Sequence, residues 1–215
     1  MPFKQIAAVC WAFYMLCACG SNNNESVIKS KDGKPEIDNI QRSGEKMKER
    51  LDAYQKRREE RVKRGDTLAM TCQELEQFLP PIEGFEKKGL PKGEQVVMPG
   101  IGGWTKTKQQ YIRTNALIEV EINDYNRSAN GFAMASAVFS MNIQIENDRE
   151  KSGSFDPGIA GVRGYEKLLK KTGRITHTYV LSDRFLVRVD GKKGVSSEIL
   201  KQAAQRIPFA VLAAK

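Results

Sequence analysis

Hydrophobic positions fall into two periods along this chain, and between them they outline one domain. Residues 116–123 alternate, with Ile118, Val120 and Ile122 on one side and Leu117, Glu119 and Glu121 on the other. That is the signature of a strand with one covered face, and 104–113 reads as its partner. Further along, 162–170, 174–181 and 184–190 form a three-strand meander that turns at Thr172-Gly173 and Ser182-Asp183. In its last strand Phe185, Val187 and Val189 share a face, while Arg184, Leu186 and Arg188 point away. A helical period appears at 128–141, where Phe132, Met134, Ala135, Val138, Phe139 and Met141 are apolar over much of the circumference, which predicts a helix packed on the sheet. Ser196 or Ser197 caps another helix, with Ile199, Leu200, Ala203, Ala204 and Ile207 on one stripe and Pro208 as its stop. Phe209 onward reads as a packed apolar tail. A short helix opens at the capping box Thr71-Cys72-Gln73-Glu74, buries Leu75, Phe78 and Leu79, and ends at Pro80-Pro81. The stretch 82–103 is rich in Gly, Pro and Lys and reads as loop, closing in a turn at 99–103. A second loop runs through Ser152, Gly153, Asp156, Pro157 and Gly158. Helix, two strands, helix, three strands, helix is the order of an α+β fold, an antiparallel sheet covered by helices. Its start is placed at residue 66.

Ahead of that domain the period is lost and charge takes over. Residues 41–64 carry ten basic and five acidic side chains, with acids four before bases at Asp52/Lys56, Glu59/Lys63 and Glu60/Arg64. Such pairs support an exposed helix, so 41–65 reads as a charged helical stalk ended by Gly65. Met47, Leu51 and Tyr54 begin an apolar stripe, but Arg58 and Arg61 take its next places, which argues against a coiled coil. Residues 19–40 are Ser, Asn, Lys, Asp and Gly with few large apolar side chains, a composition that cannot offset its ordering entropy and reads as a flexible tether.

The first residues are different again. Lys4 precedes an uncharged apolar run over 6–18, the length of a signal-peptide core and shorter than the roughly 20 residues of a membrane span. Leu16-Cys17-Ala18-Cys19 resembles the lipobox of bacterial lipoproteins. The resemblance implies removal of a signal peptide, 1–18, and lipidation of Cys19 by a diacylglyceryl (palmitate-type) anchor. Two or three acyl chains on one residue make a lasting attachment. It also implies a place outside the cytoplasm in the cell envelope, with Gly20 after the cysteine pointing to the outer membrane. Loss of the leader removes one basic residue and no acidic one, taking the formal charge from +9 to +8. The basic run at 42–64 would then meet anionic headgroups, and nucleic acid is not an expected partner. Cys10 and Cys17 leave with the leader and Cys19 carries lipid, so Cys72 remains alone and no intrachain disulfide forms.

The run Gly164-Tyr165-Glu166-Lys167 through Ser182-Asp183-Arg184-Phe185-Leu186-Val187, with the terminal helix, is similar to uncharacterised envelope lipoproteins with a Mog1/PsbP-like α/β/α sandwich. That resemblance implies a fold and no reaction. Chemistry is sparse. His177 is the single histidine, mid-strand on the side of Ile175 and Tyr179, and reads as a packed, hydrogen-bonded residue. No metal spacing, phosphate loop or nucleophile elbow is present, so no catalytic, metal or cofactor residue is assigned. Three functions remain open: a non-enzymatic module that binds an envelope protein, a carrier with an apolar pocket under 128–141, and an envelope hydrolase. A pocket lined by Met134, Val138 and Phe139 would favour the carrier. Converging ionisable groups with shifted pKa values would favour the enzyme.

Overall fold

The computed structural model describes residues 37–99, 102–140, 144–192 and 194–215. Residues 1–36, with the lipobox-like run, Cys19 and most of the expected tether, lie outside them, as do the side chains of Met47, Leu51, Val138 and Met141. Compact packing runs from Asn39 to Lys215.

The fold is α+β: one eight-stranded antiparallel sheet with helices packed against it. Helix α1 spans Ile37–Lys63 and α2 spans Cys72–Glu76. Strands β1 (Glu86–Met98), β2 (Gly102–Arg113) and β3 (Ala116–Asp124) follow, then α3 (Ala129–Ser140). Strands β4 (Ile145–Glu146), β5 (Glu150–Phe155), β6 (Val162–Leu169), β7 (Arg174–Leu181) and β8 (Phe185–Lys192) lead to α4 (Ser197–Gln205) and α5 (Phe209–Ala213). The sheet order is β1-β2-β3-β8-β7-β6-β5-β4. The meander β4 to β8 therefore returns beside β3, and β3 and β8 join the two halves.

Alternation does what the pattern predicts. Ile118, Val120 and Ile122 of β3 and Phe185, Val187 and Val189 of β8 are all fully buried in one cluster, with Leu75 of α2, Leu200 of α4 and Leu212 of α5. A second, smaller cluster uses the intervening positions, Val180 and Leu186, with Tyr54 of α1 and Phe132 and Ala133 of α3. The capping box opens α2 as read, Glu74 N–H donating to Thr71 Oγ1 at 3.2 Å and Thr71 N–H to the Glu74 carboxylate at 2.7 Å.

Two readings need correction. The stretch 82–103 is not a loop, because most of it is β1, a thirteen-residue strand that pairs with β2 on either side of a register shift. Pro91 and Gly89 are tolerated since β1 is an edge strand and its register shifts between Lys88 and Lys92. Gly93 is required: a Cβ there would lie 2.4 Å from Cys72 Cβ, so α2 sits directly on the strand. The loop placed at 152–158 likewise starts late, because 150–155 is strand β5.

The charged helix is present, but its last turns do not behave as a free spacer. Tyr54 is buried edge-on to Phe132 with centroids 5.4 Å apart, and its hydroxyl accepts from Arg163 at 3.1 Å. Arg57 ion-pairs with Asp183, and Arg61 Nε donates to Asn126 Oδ1 at 3.0 Å. The docking stripe is thus Tyr54, Arg57, Arg61, at helical spacings of three and four. An apolar period could not reveal it, because two of the three positions meet polar partners. Gly65 ends the helix in a left-handed conformation (φ 79°), with its N–H bonded to Val62 and that of Asp66 to Arg61.

A buried polar knot closes the same corner. Arg184, 4% exposed, donates from Nε and Nη2 to both oxygens of the fully buried Asp124, at 2.8 and 2.7 Å. Asp124 also accepts from the backbone N–H of Met70 and Asn126, and Arg184 Nη1 reaches Asp66 at 3.3 Å.

Candidate functional site

Helix α4 organises two of the places where chemistry-bearing side chains gather. Its cap is Ser196, whose hydroxyl accepts from the N–H of Ile199. This settles which serine caps and leaves Ser197, the first helical residue, free to turn toward the sheet. There it meets His177 of β7 and Glu166 of β6. The β6–β7 register places Glu166 directly opposite His177.

His177 is fully buried. Its Nε2 lies 2.8 Å from Glu166 Oε2 and 3.0 Å from Ser197 Oγ, while Nδ1 lies 3.2 Å from the Tyr179 hydroxyl. Ser197 Oγ donates to the same Glu166 oxygen. The ring of Phe155 packs on the imidazole with centroids 5.0 Å apart. Burial pushes the His177 pKa below its ordinary value, more than the Glu166 carboxylate raises it. For Glu166 burial acts upward, and hydrogen bonds from Ser197 and His177 more than offset it, so the carboxyl sits low. Burial also raises the Tyr179 phenol far above its usual range.

One proton arrangement satisfies both those directions and the contacts. Glu166 is a carboxylate and accepts twice, His177 is neutral with its proton on Nε2 pointed at Glu166, and Tyr179 donates to Nδ1. Ser, His and Glu are therefore together, but not as a relay. Glu166 Oε2 and Ser197 Oγ both face the same ring nitrogen, Nε2, whereas a relay sets the carboxylate and the serine on opposite nitrogens of the imidazole. What the arrangement does is hold the N-terminus of α4 to β6 and β7. The sequence singled out His177 and missed Glu166 and Ser197. The first was legible from the hairpin register, whereas the second arrives from a distant helix.

This geometry predicts an acid limb in stability. In the unfolded chain the histidine takes up a proton below about pH 6.5, while the buried ring resists it, so unfolding gains a proton and stability falls as pH drops from there. Glu166, held low, adds the same sign further down. His177→Gln should flatten the first part of that limb in urea midpoints taken against pH. Parallel curves for the two proteins would refute the assignment.

On the other flank of α4 lies a groove of about 540 Å³. Ile199, Gln202, Ala203 and Arg206 form one wall. Ile82, Glu83 and Phe85, ahead of β1, and Arg113, at the end of β2, form the other. The carrier pocket expected under 128–141 involves Val138, whose side chain lies outside the described residues. Of the other two, Phe139 packs against Tyr165 with ring centroids 5.1 Å apart, and Met134 is 62% exposed. Cys72 is a free, partly exposed thiol whose Sγ approaches the Lys106 carbonyl at 3.8 Å. Among the described residues no group of three His, Cys, Asp or Glu side chains is placed to hold a metal ion.

No family model matches this chain, and no curated protein matches it. Among solved structures, a GTP-binding regulator from Thermotoga maritima is similar at 9% identity and a TM-score of 0.38, over 65% of this chain and 89% of the other. An uncharacterised protein from Mycobacterium smegmatis is similar at 11% identity and a TM-score of 0.35, over 63% of this chain and 94% of the other. Likenesses at this level carry no assignment of function.

Proposed function

We propose that this chain is a lipoprotein of the bacterial cell envelope, anchored through acyl chains on Cys19, whose α+β domain binds a partner and does not turn one over. The observation that carries binding over catalysis is the Glu166–His177–Ser197 cluster. It unites the residue types of a hydrolase, yet Glu166 and Ser197 meet at one nitrogen of His177 and tie α4 to the sheet. The anchor rests on the lipobox at 16–19 and its preceding apolar run. No helix among the described residues is long and apolar enough to cross a membrane. The finer fold reading, an α/β/α sandwich of the Mog1/PsbP kind, is supported by the two apolar clusters on alternate positions of β7 and β8.

The basic helix contributes less to anionic headgroups than its charge suggests, because Arg57 and Arg61 are engaged within the domain. Lys56, Arg58, Lys63 and Arg64 remain exposed for that role. Outer-membrane residence and an envelope protein as partner belong to the same proposal.

Expression in a bacterial host, wild type beside Cys19→Ala, tests the anchor by intact mass and membrane fractionation. The wild type should lose 1–18, gain acyl mass and sediment with membrane, and the variant should do none of these. A wild type without lipid on Cys19 sinks the proposal and returns the basic helix to consideration as a site for other anions.

A further inference from the structure

The groove beside α4 has features that specify what it takes. Its two walls each bring apolar side chains to it, Ile82 and Phe85 on one and Ile199 and Ala203 on the other. The Arg113 guanidinium lies over the Phe85 ring, Cζ 4.5 Å from the centroid. It also passes close over Gly84, where a Cβ would stand 3.4 Å from Nη1 and where the backbone is left-handed (φ 73°). Arg113 makes no ion pair among the described residues, so this positioned fork presents its donors without a carboxylate of the protein's own. Across the groove Arg206 meets Glu83 at 3.4 Å, but the two side chains are 63% and 90% exposed, a contact that an incoming anion can replace. Gln202 and Gln205 add two primary amides, each able to donate and accept.

We propose that this groove binds a peptide-like carboxylate: a ligand carrying a carboxylate, a neighbouring amide and an apolar side chain. The planar fork of Arg113 matches a carboxylate through two parallel hydrogen bonds. The glutamine amides pair with a backbone amide, and the apolar side chain covers Phe85 and Ile199. A volume of about 540 Å³ lies within the range of small-ligand sites. The inference rests on the reading of the domain as a binding module and names what it binds. A free chain end and an acidic side chain present the same carboxylate.

The test uses the full chain in mild detergent with carbon-13 label in isoleucine δ1 methyls. Ile82 and Ile199 report on the groove, and the fully buried Ile118 and Ile122 report on the intact fold. N-acetyl-leucine should shift the first pair saturably with a Kd in the low millimolar range, the scale of about 4 kcal/mol for so small a ligand. N-acetyl-leucinamide, which lacks the carboxylate, should bind about tenfold more weakly, and Arg113→Gln should cost a similar factor while the Ile118 and Ile122 signals stay in place. N-acetyl-leucyl-aspartic acid α-amide, which keeps the leucine side chain and carries its acid on the aspartate, separates the two sources: a stronger response than N-acetyl-leucine selects acidic side chains, and a weaker one selects chain ends, either within the proposed class. Equal binding of the leucinamide, an equal response to inorganic phosphate, no effect of Arg113→Gln, or no saturable shift would each overturn the proposal. Intact mass of the same preparation reports Cys19 acylation separately, so the groove and the anchor can fail independently.

Discussion

Replacing Arg184 with alanine is expected to destabilise the domain by about 3–5 kcal/mol, the cost of stranding a buried charge. Asp124 has no exposure, and Arg184 supplies two of its hydrogen bonds and its only ion pair among the described residues. Without the guanidinium the carboxylate keeps only the N–H groups of Met70 and Asn126. It must then gain a proton, draw in water, or loosen the corner where 66–70 and the ends of β3 and β8 meet. Arg184→Lys should recover little, because an ammonium cannot reproduce the two parallel contacts. A paired replacement, Arg184→Met with Asp124→Leu, should cost less than Arg184→Ala alone, since it removes both charges together. Chemical denaturation reads all three, and a loss below about 1 kcal/mol for Arg184→Ala would mean the pair is not desolvated as described.

Leu200→Ala is the second large effect, about 2–5 kcal/mol. Leu200 is fully buried and sits over Gly191 of β8, where a Cβ would come within 3.1 Å of its Cδ2. The glycine admits Val195, whose Cγ1 would lie 2.8 Å from that Cβ, together with the leucine. Because α4 also brings Ser197 to His177 and walls the groove, the variant should lose groove occupancy along with stability. Denaturation midpoints and the isoleucine methyl signals report the two effects on one sample. A fully stable Leu200→Ala would show that the helix is held chiefly by its polar contacts.

How much of this was legible depends on how local each cause is. Strands β3 and β8 could be read from alternation because each carries a covered face within eight or nine residues. The Ser182-Asp183 turn was readable too, and both residues adopt the positive φ that a tight hairpin needs (54° and 48°). Strand β1 was not, because the Gly and Pro that mark loops are also what an edge strand with a shifted register can tolerate. Glu166 facing His177 follows from counting back across the Thr172-Gly173 turn. Ser197 facing His177, Arg184 gripping Asp124, and Arg113 lying opposite Arg206 depend on how distant elements stack, for which a single sequence holds no period. The docking of α1 failed to show for a different reason, since arginines facing acids inside a protein look the same in a sequence as arginines facing water.

That docking has a mechanical consequence. Tyr54, Arg57 and Arg61 grip Phe132, Asp183 and Asn126, and Asp183 is the turn between β7 and β8, two strands in the interior of the sheet. A pull applied through the N-terminal segment therefore enters the domain at its most highly paired strands, without first peeling an edge. Tension would be spent on detaching one helix, whose contacts can form again when the force is released, before any strand is asked to separate.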